Sequence, residues 1–152
     1  MRDELLAGPR VALDTAPLIY FLTGDAKRAP IVREVLLAAA RGEIDVVVSA
    51  VTEAELLVAP LRRLDPLSSC APVHDLLNGP PALDVQPVTR QIARRAAELR
   101  ARWNLRLADA LIAATAAETG CTTLLGNDLQ FRRLEVEGLA YHHLDDLARA
   151  PS

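Results

Sequence analysis

The stretch RVALDTAPLIYFL, residues 10–22, indicates how the rest of the chain is organised. Its apolar residues 11–13 are typical of a short buried strand, and Asp14 follows at the C-terminal end of that strand. Pro17 lies where the first turn of a helix tolerates proline. Because ligand sites of open α/β sheets lie outside the carboxyl ends of the strands, Asp14 is a candidate functional carboxylate. Alternatively, Asp14 or Thr15 only caps the helix, and this stretch by itself favours the cap.

The composition limits the class of protein. A length of 152 residues suits one domain with one core, so we expect a single domain over residues 1–152. A hydrophobic content of 51% argues against overall disorder, and an aromatic content of 3% argues against a stacking platform for single-stranded nucleic acid. The net charge is −3. A protein of this charge that handles RNA must therefore rely on local arginines or on metal ions that offset its acids.

The sequence also predicts where the protein resides. Cys70 and Cys121 are too few for a disulfide framework and lack zinc spacing, which is typical of reduced thiols in a cytosolic protein. Asp3 and Glu4 interrupt the opening residues, so we expect no signal peptide, and no apolar stretch approaches the length of a membrane span. We expect a soluble, cytoplasmic protein without a membrane partner.

Strands and helices alternate along the remaining chain. Apolar and β-branched runs predict strands at residues 11–13, 44–48, 82–86, 121–125 and 139–142. Helical spacing predicts helices at 15–22, 29–41, from a Thr52 cap to about 64, 89–103 and 105–119, with one turn at 129–133. The proline-rich residues 65–87 predict at most a short helix over 73–77. This order indicates an α/β fold, a three-layer α/β/α sandwich around a mainly parallel sheet of about five strands.

Four carboxylates fall at comparable places in this scheme. Asp14 ends the first strand, Glu55 lies in the first turn of the helix after the second strand, Asp109 lies near a helix start, and Asp128 lies just beyond the fourth strand. Each could instead be structural, as a cap or as an acid that complements a helix dipole, worth ~1 kcal/mol. Clustered carboxylates repel one another unless they are protonated or a cation offsets them. Oxygen-only ligands suit Mg²⁺ or Mn²⁺.

The blocks LDTAPLIYFL, VVVSAVTEAELL, LRLADALIAATAAETG and TTLLGNDLQF resemble the PIN domain, and specifically the VapC-type toxin ribonucleases of type II toxin–antitoxin systems. The resemblance covers roughly residues 11–142. It implies a metal-dependent endoribonuclease that hydrolyses RNA phosphodiester bonds, with Asp14, Glu55, Asp109 and Asp128 as catalytic acids. It further implies that Asp14, Asp109 and Asp128 hold Mg²⁺, with Mn²⁺ as a substitute. The implied partners are a cognate antitoxin that occludes the site and a second copy in a homodimer.

Two matches to the family pattern need separate treatment. Glu53 and Glu55 point about 200° apart on a helix, so only one of them readily faces a metal. Glu55 matches the family pattern, and we expect Glu53 to be exposed or a cap partner. Many relatives carry Ser or Thr at the position of Gly126, so this chain lacks a hydroxyl there. Asn127 could supply a polar group instead, or could merely favour the turn.

Thr15 and Arg106 are candidates for supporting roles. Thr15 either supports the acidic site or caps the first helix. Arg106 either contacts a substrate phosphate or is a solvated charge at a helix end. His142 and His143, in or after the last strand, are interpreted as structural or surface residues.

Two other classes of function compete with the nuclease hypothesis. One is a PIN-like domain that binds RNA or a protein partner without cleavage, and the missing hydroxyl at Gly126 keeps this hypothesis open. The other is an α/β phosphoacceptor domain in which Asp14 is phosphorylated. That hypothesis leaves Glu55 and Asp109 without a role, so it is the weakest of the three.

Overall fold

The computed structural model describes residues 8–149, apart from the side chain of residue 136. Five parallel strands form its central sheet in the order β3-β2-β1-β4-β5. The strands are β1 (Arg10–Leu13), β2 (Asp45–Ser49), β3 (Asp84–Gln86), β4 (Thr123–Gly126) and β5 (Ala140–His143). The helices are α1 (Thr15–Thr23), α2 (Ala29–Ala40), α3 (Ala50–Leu61), α4 (Pro66–Asn78), α5 (Arg90–Trp103), α6 (Leu107–Glu118) and α7 (Leu144–Arg149). A 3₁₀ segment, Leu129–Glu137, joins β4 to β5.

Both faces of the sheet are buried under helices. Along β1 the side chains alternate, so Val11 and Leu13 belong to a core shared with α1, α2 and α4, while Ala12 belongs to a core shared with α5 and α6. Leu125 and Leu124 continue the same alternation along β4. The predicted three-layer α/β/α sandwich with a parallel sheet is confirmed.

The strand order places a crevice beside β1. The chain proceeds outward from β1 to β2 and β3, then returns to form β4 and β5 on the other side of β1. Leu13 pairs with Val48 of β2 and with Leu125 of β4, and the amide of Asp14 donates to the carbonyl of Leu125 at 2.9 Å. This change of direction is the topological switch point at which ligands bind in open α/β sheets. Asp14 therefore lies at the position that the fold class favours for a site.

The proline-rich stretch differs from the prediction, because residues 66–78 form one continuous helix, α4. Pro66 occupies the first turn, where its missing N–H costs nothing, and the side chain of Asp65 caps the helix by accepting from Ser68 N at 3.4 Å. Pro72 lies inside the helix, but Val73 and Leu77 bury one face against the core. Tertiary packing thus offsets the propensity cost of proline.

The helix after β2 begins earlier and ends earlier than predicted. Ser49 is its cap, accepting from the amide of Val51 at 3.1 Å, so the prediction that Thr52 is the cap was wrong. Thr52 is instead fully buried inside α3. The short terminal helix α7 was not predicted, since its residues follow β5 without a glycine or proline break.

Cys70 and Cys121 are buried free thiols, which agrees with the expectation that neither is part of a disulfide framework. In the part of the chain that the structure describes, no helix has both the length and the apolar character needed to cross a membrane.

Candidate functional site

Asp14 is the buried centre of the candidate site. It follows β1 directly and is only 7% exposed. It occupies the N-cap position of α1, yet its side chain makes no capping hydrogen bond. The capping role that its own stretch favoured is therefore not what the carboxylate does. A buried carboxylate at a switch point that does not cap its helix is a strong candidate for ligand chemistry.

The pKa of Asp14 is influenced by the other three predicted acids. Burial raises the pKa of Asp14 to about 7, and the amide of Thr15 opposes this shift. The negative charges of Asp109, Glu55 and Asp128 raise the pKa of Asp14 further. All three carboxylates thus act electrostatically on the same buried group.

Thr15 connects Glu55 to this centre. The Thr15 hydroxyl donates to Glu55 Oε1 at 2.7 Å, and the Thr15 and Thr52 hydroxyl oxygens lie 3.1 Å apart. Since the single hydrogen of Thr15 points to Glu55, Thr52 is the donor in the second bond. Thr15 therefore supports the acidic site, whereas the competing prediction made it a cap. Glu53 is half-buried and Ser49 caps α3, so the expectation for Glu53 was wrong.

Asp109 lies in the first turn of α6, with its side chain 14% exposed. Arg106, at the N-cap position of that helix, donates from Nε to Asp109 Oδ2 at 3.1 Å, and the arginine side chain is 81% exposed. This hydrogen bond is the main cause that raises the pKa of Arg106, and the charges of Asp128 and Glu55 add to it. Arg106 is thus a cation at the solvent side of the acidic site, in contact with one of its acids.

Asp128 combines a structural and a site role. Its Oδ1 accepts from the amide of Gln130 at 2.9 Å and caps the 3₁₀ segment, so the capping alternative is confirmed for this residue. Its own amide donates to the hydroxyl of Tyr141 at 3.0 Å. Since Oδ1 serves as the cap, Oδ2 is the oxygen available to the site. Capping fixes the side chain at the carboxyl end of β4, beside Asp14.

The neighbours of Asp128 explain the glycine at position 126. A Cβ atom on Gly126 would lie 3.1 Å from the hydroxyl oxygen of Tyr141 and 3.3 Å from Cβ of Asp14, closer than most real contacts. Asn127 donates from Nδ2 to the hydroxyl of Tyr20 at 3.1 Å, so it ties the turn to α1. Tyr141 was not identified from the sequence. The signal that could have identified it is the coincidence of a glycine in β4 with a tyrosine in the adjacent β5.

The two histidines of β5 follow one another at the carboxyl end of that strand. His143 Nδ1 accepts from the amide of Asp145 at 3.3 Å, at the start of α7, which is a structural role. His142 is half-buried and pairs with Leu125 of β4 in the sheet register. The contact of His143 agrees with its interpretation as a structural residue.

The donor set has the chemistry of a hard-cation site. The four acids offer only oxygen ligands, and a single ion pair, Arg106 with Asp109, reaches them within residues 8–149. In that same part of the chain, no three His, Cys, Asp or Glu side chains are already grouped closely enough to hold a metal. Three of the acids have hydrogen-bond partners within the protein: Thr15 for Glu55, Arg106 for Asp109 and the Gln130 amide for Asp128. The residues thus fit Mg²⁺ or Mn²⁺ in ligand type, and side-chain rotation is needed for them to converge.

Fold and site together define a parallel α/β domain that collects carboxylates at the ends of β1 and β4, at the start of α6 and in the second turn of α3. The prediction that Glu55 lies in the first turn of its helix was wrong, because Ser49 caps α3 and starts it earlier. The family model of the PIN domain matches residues 11–137, and the chain belongs to the PIN domain family. The resemblance to PIN domains seen in the sequence is therefore confirmed.

Solved structures with the same fold include toxin–antitoxin proteins. Rickettsia felis VapBC2, bound to a DNA fragment from its promoter, is 19% identical with a TM-score of 0.71, over 88% of this chain and 98% of that one. DNA-bound VapBC from Salmonella typhimurium is 22% identical with a TM-score of 0.70, over 90% and 99%. Mycobacterium tuberculosis VapC20, a toxin that cleaves the sarcin–ricin loop, is 18% identical with a TM-score of 0.62, over 81% and 93%. No curated protein matches the chain.

Proposed function

We propose that this protein is a metal-dependent endoribonuclease that acts as the toxin of a toxin–antitoxin pair. The observation that carries the proposal is Asp14, a buried carboxylate at the switch point that lies in the field of three further acids. A site that collects negative charge around a buried acid is suited to a divalent cation, and only then to a phosphate backbone. Membership of the PIN domain family supports the same reaction class.

Asp14, Asp109 and Asp128 would hold the cation, Mg²⁺ or Mn²⁺. When bound, such a cation orients and activates a water molecule for in-line attack on a phosphodiester. Burial is the main cause of the raised pKa of Asp14 and the charges of the other acids add to it, so a nearby positive charge would favour the ionised form of this carboxyl group. Asp128 is held in place for this role by its cap to the 3₁₀ segment, and Asp109 by the first turn of α6.

Glu55 and Arg106 would act on the substrate side. Glu55 Oε1 is held by the hydroxyl of Thr15, which leaves Oε2 to accept a proton from the attacking water. Arg106 is largely exposed beside Asp109, so its guanidinium can contact a phosphate of the RNA strand. Both roles follow from side chains that are positioned by neighbours and still open to solvent.

The proposed partners are RNA as substrate, a cognate antitoxin and a second copy of the chain, all in the cytoplasm. Several solved structures with this fold are toxin–antitoxin complexes, which supports an antitoxin partner. An apolar cavity of about 400 Å³ between α1, α2 and α4 offers a surface for such a protein. Its lining includes Phe21, Leu22, Leu36, Leu37 and Leu76.

The test is cleavage of RNA by the purified chain with MgCl₂ or MnCl₂, with and without a chelator. We expect cleavage only with metal, and a loss of at least about a hundredfold in Asp14→Asn, because one ligand carboxylate is gone. Asp45→Asn is the matched control, since Asp45 is an exposed acid at the amino end of β2. Cleavage by Asp14→Asn at the wild-type rate would show that the assignment is wrong.

A PIN domain that binds RNA or a protein without cleavage is the second candidate function. The observation that favours it is that, among the described residues, no three of the acids are grouped closely enough to hold a metal, while Glu55, Asp109 and Asp128 each have a hydrogen-bond partner within the protein. Calorimetric titration with MnCl₂ separates the two functions, because the nuclease must bind the ion and a binding module need not.

A further inference from the structure

Gly126, Tyr141 and Asp14 share one small space at the carboxyl end of the sheet. A Cβ on Gly126 would lie 3.1 Å from the Tyr141 hydroxyl oxygen, 3.2 Å from its Cε2 and 3.3 Å from Cβ of Asp14. The tyrosine therefore fills the space that a side chain at position 126 would otherwise take. Tyr141 and Asp14, the acid that centres the proposed site, therefore both border the same space beside Gly126.

The Tyr141 ring is fixed from several sides. Tyr141 is 7% exposed, and its ring lies 5.6 Å from the ring of Phe131 and 6.4 Å from that of His143. Its hydroxyl oxygen accepts the amide of Asp128 at 3.0 Å. Since that bond uses an oxygen lone pair, the hydroxyl hydrogen remains to be donated elsewhere.

We propose that Tyr141 is a positioning residue of the acidic site. Its hydroxyl accepts the amide of Asp128 and donates its hydrogen to the oxygen atoms collected at Asp14, from the space that Gly126 leaves open. Gly126 and Tyr141 then act as one unit that places a hydroxyl between two of the four acids. This inference rests on the proposed function, because it concerns how the same carboxylates are arranged for a cation.

The electrostatics agree with a donor role. Burial raises the pKa of the Tyr141 phenol, the bond from the Asp128 amide opposes this, and the charges of Asp14 and Asp128 raise the pKa further. The phenol is therefore neutral and keeps its hydrogen at physiological pH. A neutral hydroxyl between carboxylates stabilises their charged forms by donating to them.

The arrangement predicts that positions 126 and 141 are coupled. Gly126→Ser alone adds a hydroxyl but crowds the Tyr141 hydroxyl at 3.1 Å. Tyr141→Phe alone removes the hydroxyl and leaves the Asp128 amide without its acceptor. The double variant G126S/Y141F removes the nearest clash and returns a hydroxyl to the same space. Its metal affinity should therefore exceed that of either single variant.

The experiment is calorimetric titration of the full chain with MnCl₂, together with hydrogen exchange of the Asp128 amide. We expect Tyr141→Phe to weaken Mn²⁺ binding about tenfold, as loss of groups that orient metal ligands does. We also expect faster exchange of the Asp128 amide in this variant. Tyr20→Phe is the matched control, because Tyr20 is the chain's other tyrosine and its hydroxyl accepts from Asn127 instead. We expect it to bind Mn²⁺ within about twofold of wild type.

The outcomes separate this inference from the proposed function. If wild type and Tyr141→Phe bind Mn²⁺ equally, the positioning role is wrong and the nuclease proposal stands. If G126S/Y141F binds more weakly than both single variants, the two positions do not form one unit and the inference is likewise wrong. If the wild-type chain binds no Mn²⁺, the proposed function fails and this inference fails with it. Thermal unfolding of each variant confirms that the compared proteins are folded.

Discussion

The acids at the two ends of the sheet differ in how far they are paired with cations. At the amino end, Arg10 donates to Asp84 at 2.8 Å, to Asp45 at 3.5 Å and to the carbonyl of Thr119 at 2.8 Å. At the carboxyl end, the four acids meet only the ion pair of Arg106 with Asp109 within the described residues. The ion pairs of Arg10 stabilise the amino end of the sheet. Burying acids without a paired cation at the carboxyl end costs free energy, and such a cluster of acids indicates the end of the sheet where a ligand binds.

The cost at the carboxyl end appears as a dependence of stability on pH. The folded pKa of Asp14 is about 7 against an ordinary value of 3.8, so the folded state binds this proton more tightly than the unfolded state. Its contribution to stability is therefore present below pH ~4 and is lost as the pH rises to about 7. The amino end has no such buried acid among the residues that the structure describes.

The first prediction has the largest expected effect and concerns the free-energy cost of ionising the buried Asp14. Asp14→Asn should raise the free energy of unfolding by about 2–4 kcal/mol at pH 8 in a chelator, and change it little at pH 4. Urea denaturation at the two pH values measures the difference. Asp45→Asn is the control and should show no such dependence, since Asp45 is exposed. Equal effects of Asp14→Asn at pH 4 and pH 8 would contradict the charge-based explanation.

The sequence predicts the part of the site that lies at strand ends. Asp14 and Asp128 follow apolar runs that any parallel sheet buries, so their meeting at one edge follows from strand order. Glu55 and Asp109 are on helices, and their placement beside Asp14 was implied by the family resemblance. Periodicity alone does not give the angle at which a helix presents its first turn to a sheet.

What the sequence did not predict depends on contacts between distant residues. Tyr141 reaches Gly126 only because β5 pairs with β4 in a register that places Leu124 opposite Tyr141. The 3₁₀ segment between those strands carries no periodic signal for that register. The full length of α4 was not predicted for a related reason. Pro72 argues against a helix in the sequence, and the packing of the helix against the core becomes visible only in the folded structure.

The second prediction concerns the amino end. Arg10→Ala should lower the free energy of unfolding by about 1–2 kcal/mol, because it removes the hydrogen bonds that Arg10 donates to the Thr119 carbonyl and to the Asp84 carboxylate. The rate of RNA cleavage should not change, since this end of the sheet is opposite the acids. Urea denaturation and a cleavage assay on the same protein measure both quantities.

Arg41→Ala is the control, because its partner Glu43 is a near neighbour on the surface and both are exposed. A loss of cleavage in Arg10→Ala at full folding would show that the two ends are not independent.

The third prediction has the smallest expected effect and tests which end of the sheet meets RNA. Arg106 is the cation beside the acids, so Arg106→Gln should weaken RNA binding about two- to fivefold at low salt and reduce the salt slope by about 1, as loss of one phosphate contact does. Fluorescence anisotropy of a labelled RNA with a nuclease-resistant backbone, in the presence of MnCl₂, measures binding without cleavage. Arg41→Gln removes another exposed charge, at the end of α2 just before β2 begins, and should leave the slope unchanged. If both variants weaken binding equally, RNA is attracted by overall charge, and the carboxyl end of the sheet has no special role in holding it. If only Arg106→Gln does, the RNA backbone lies across the acids, where the neutralising cation has to be.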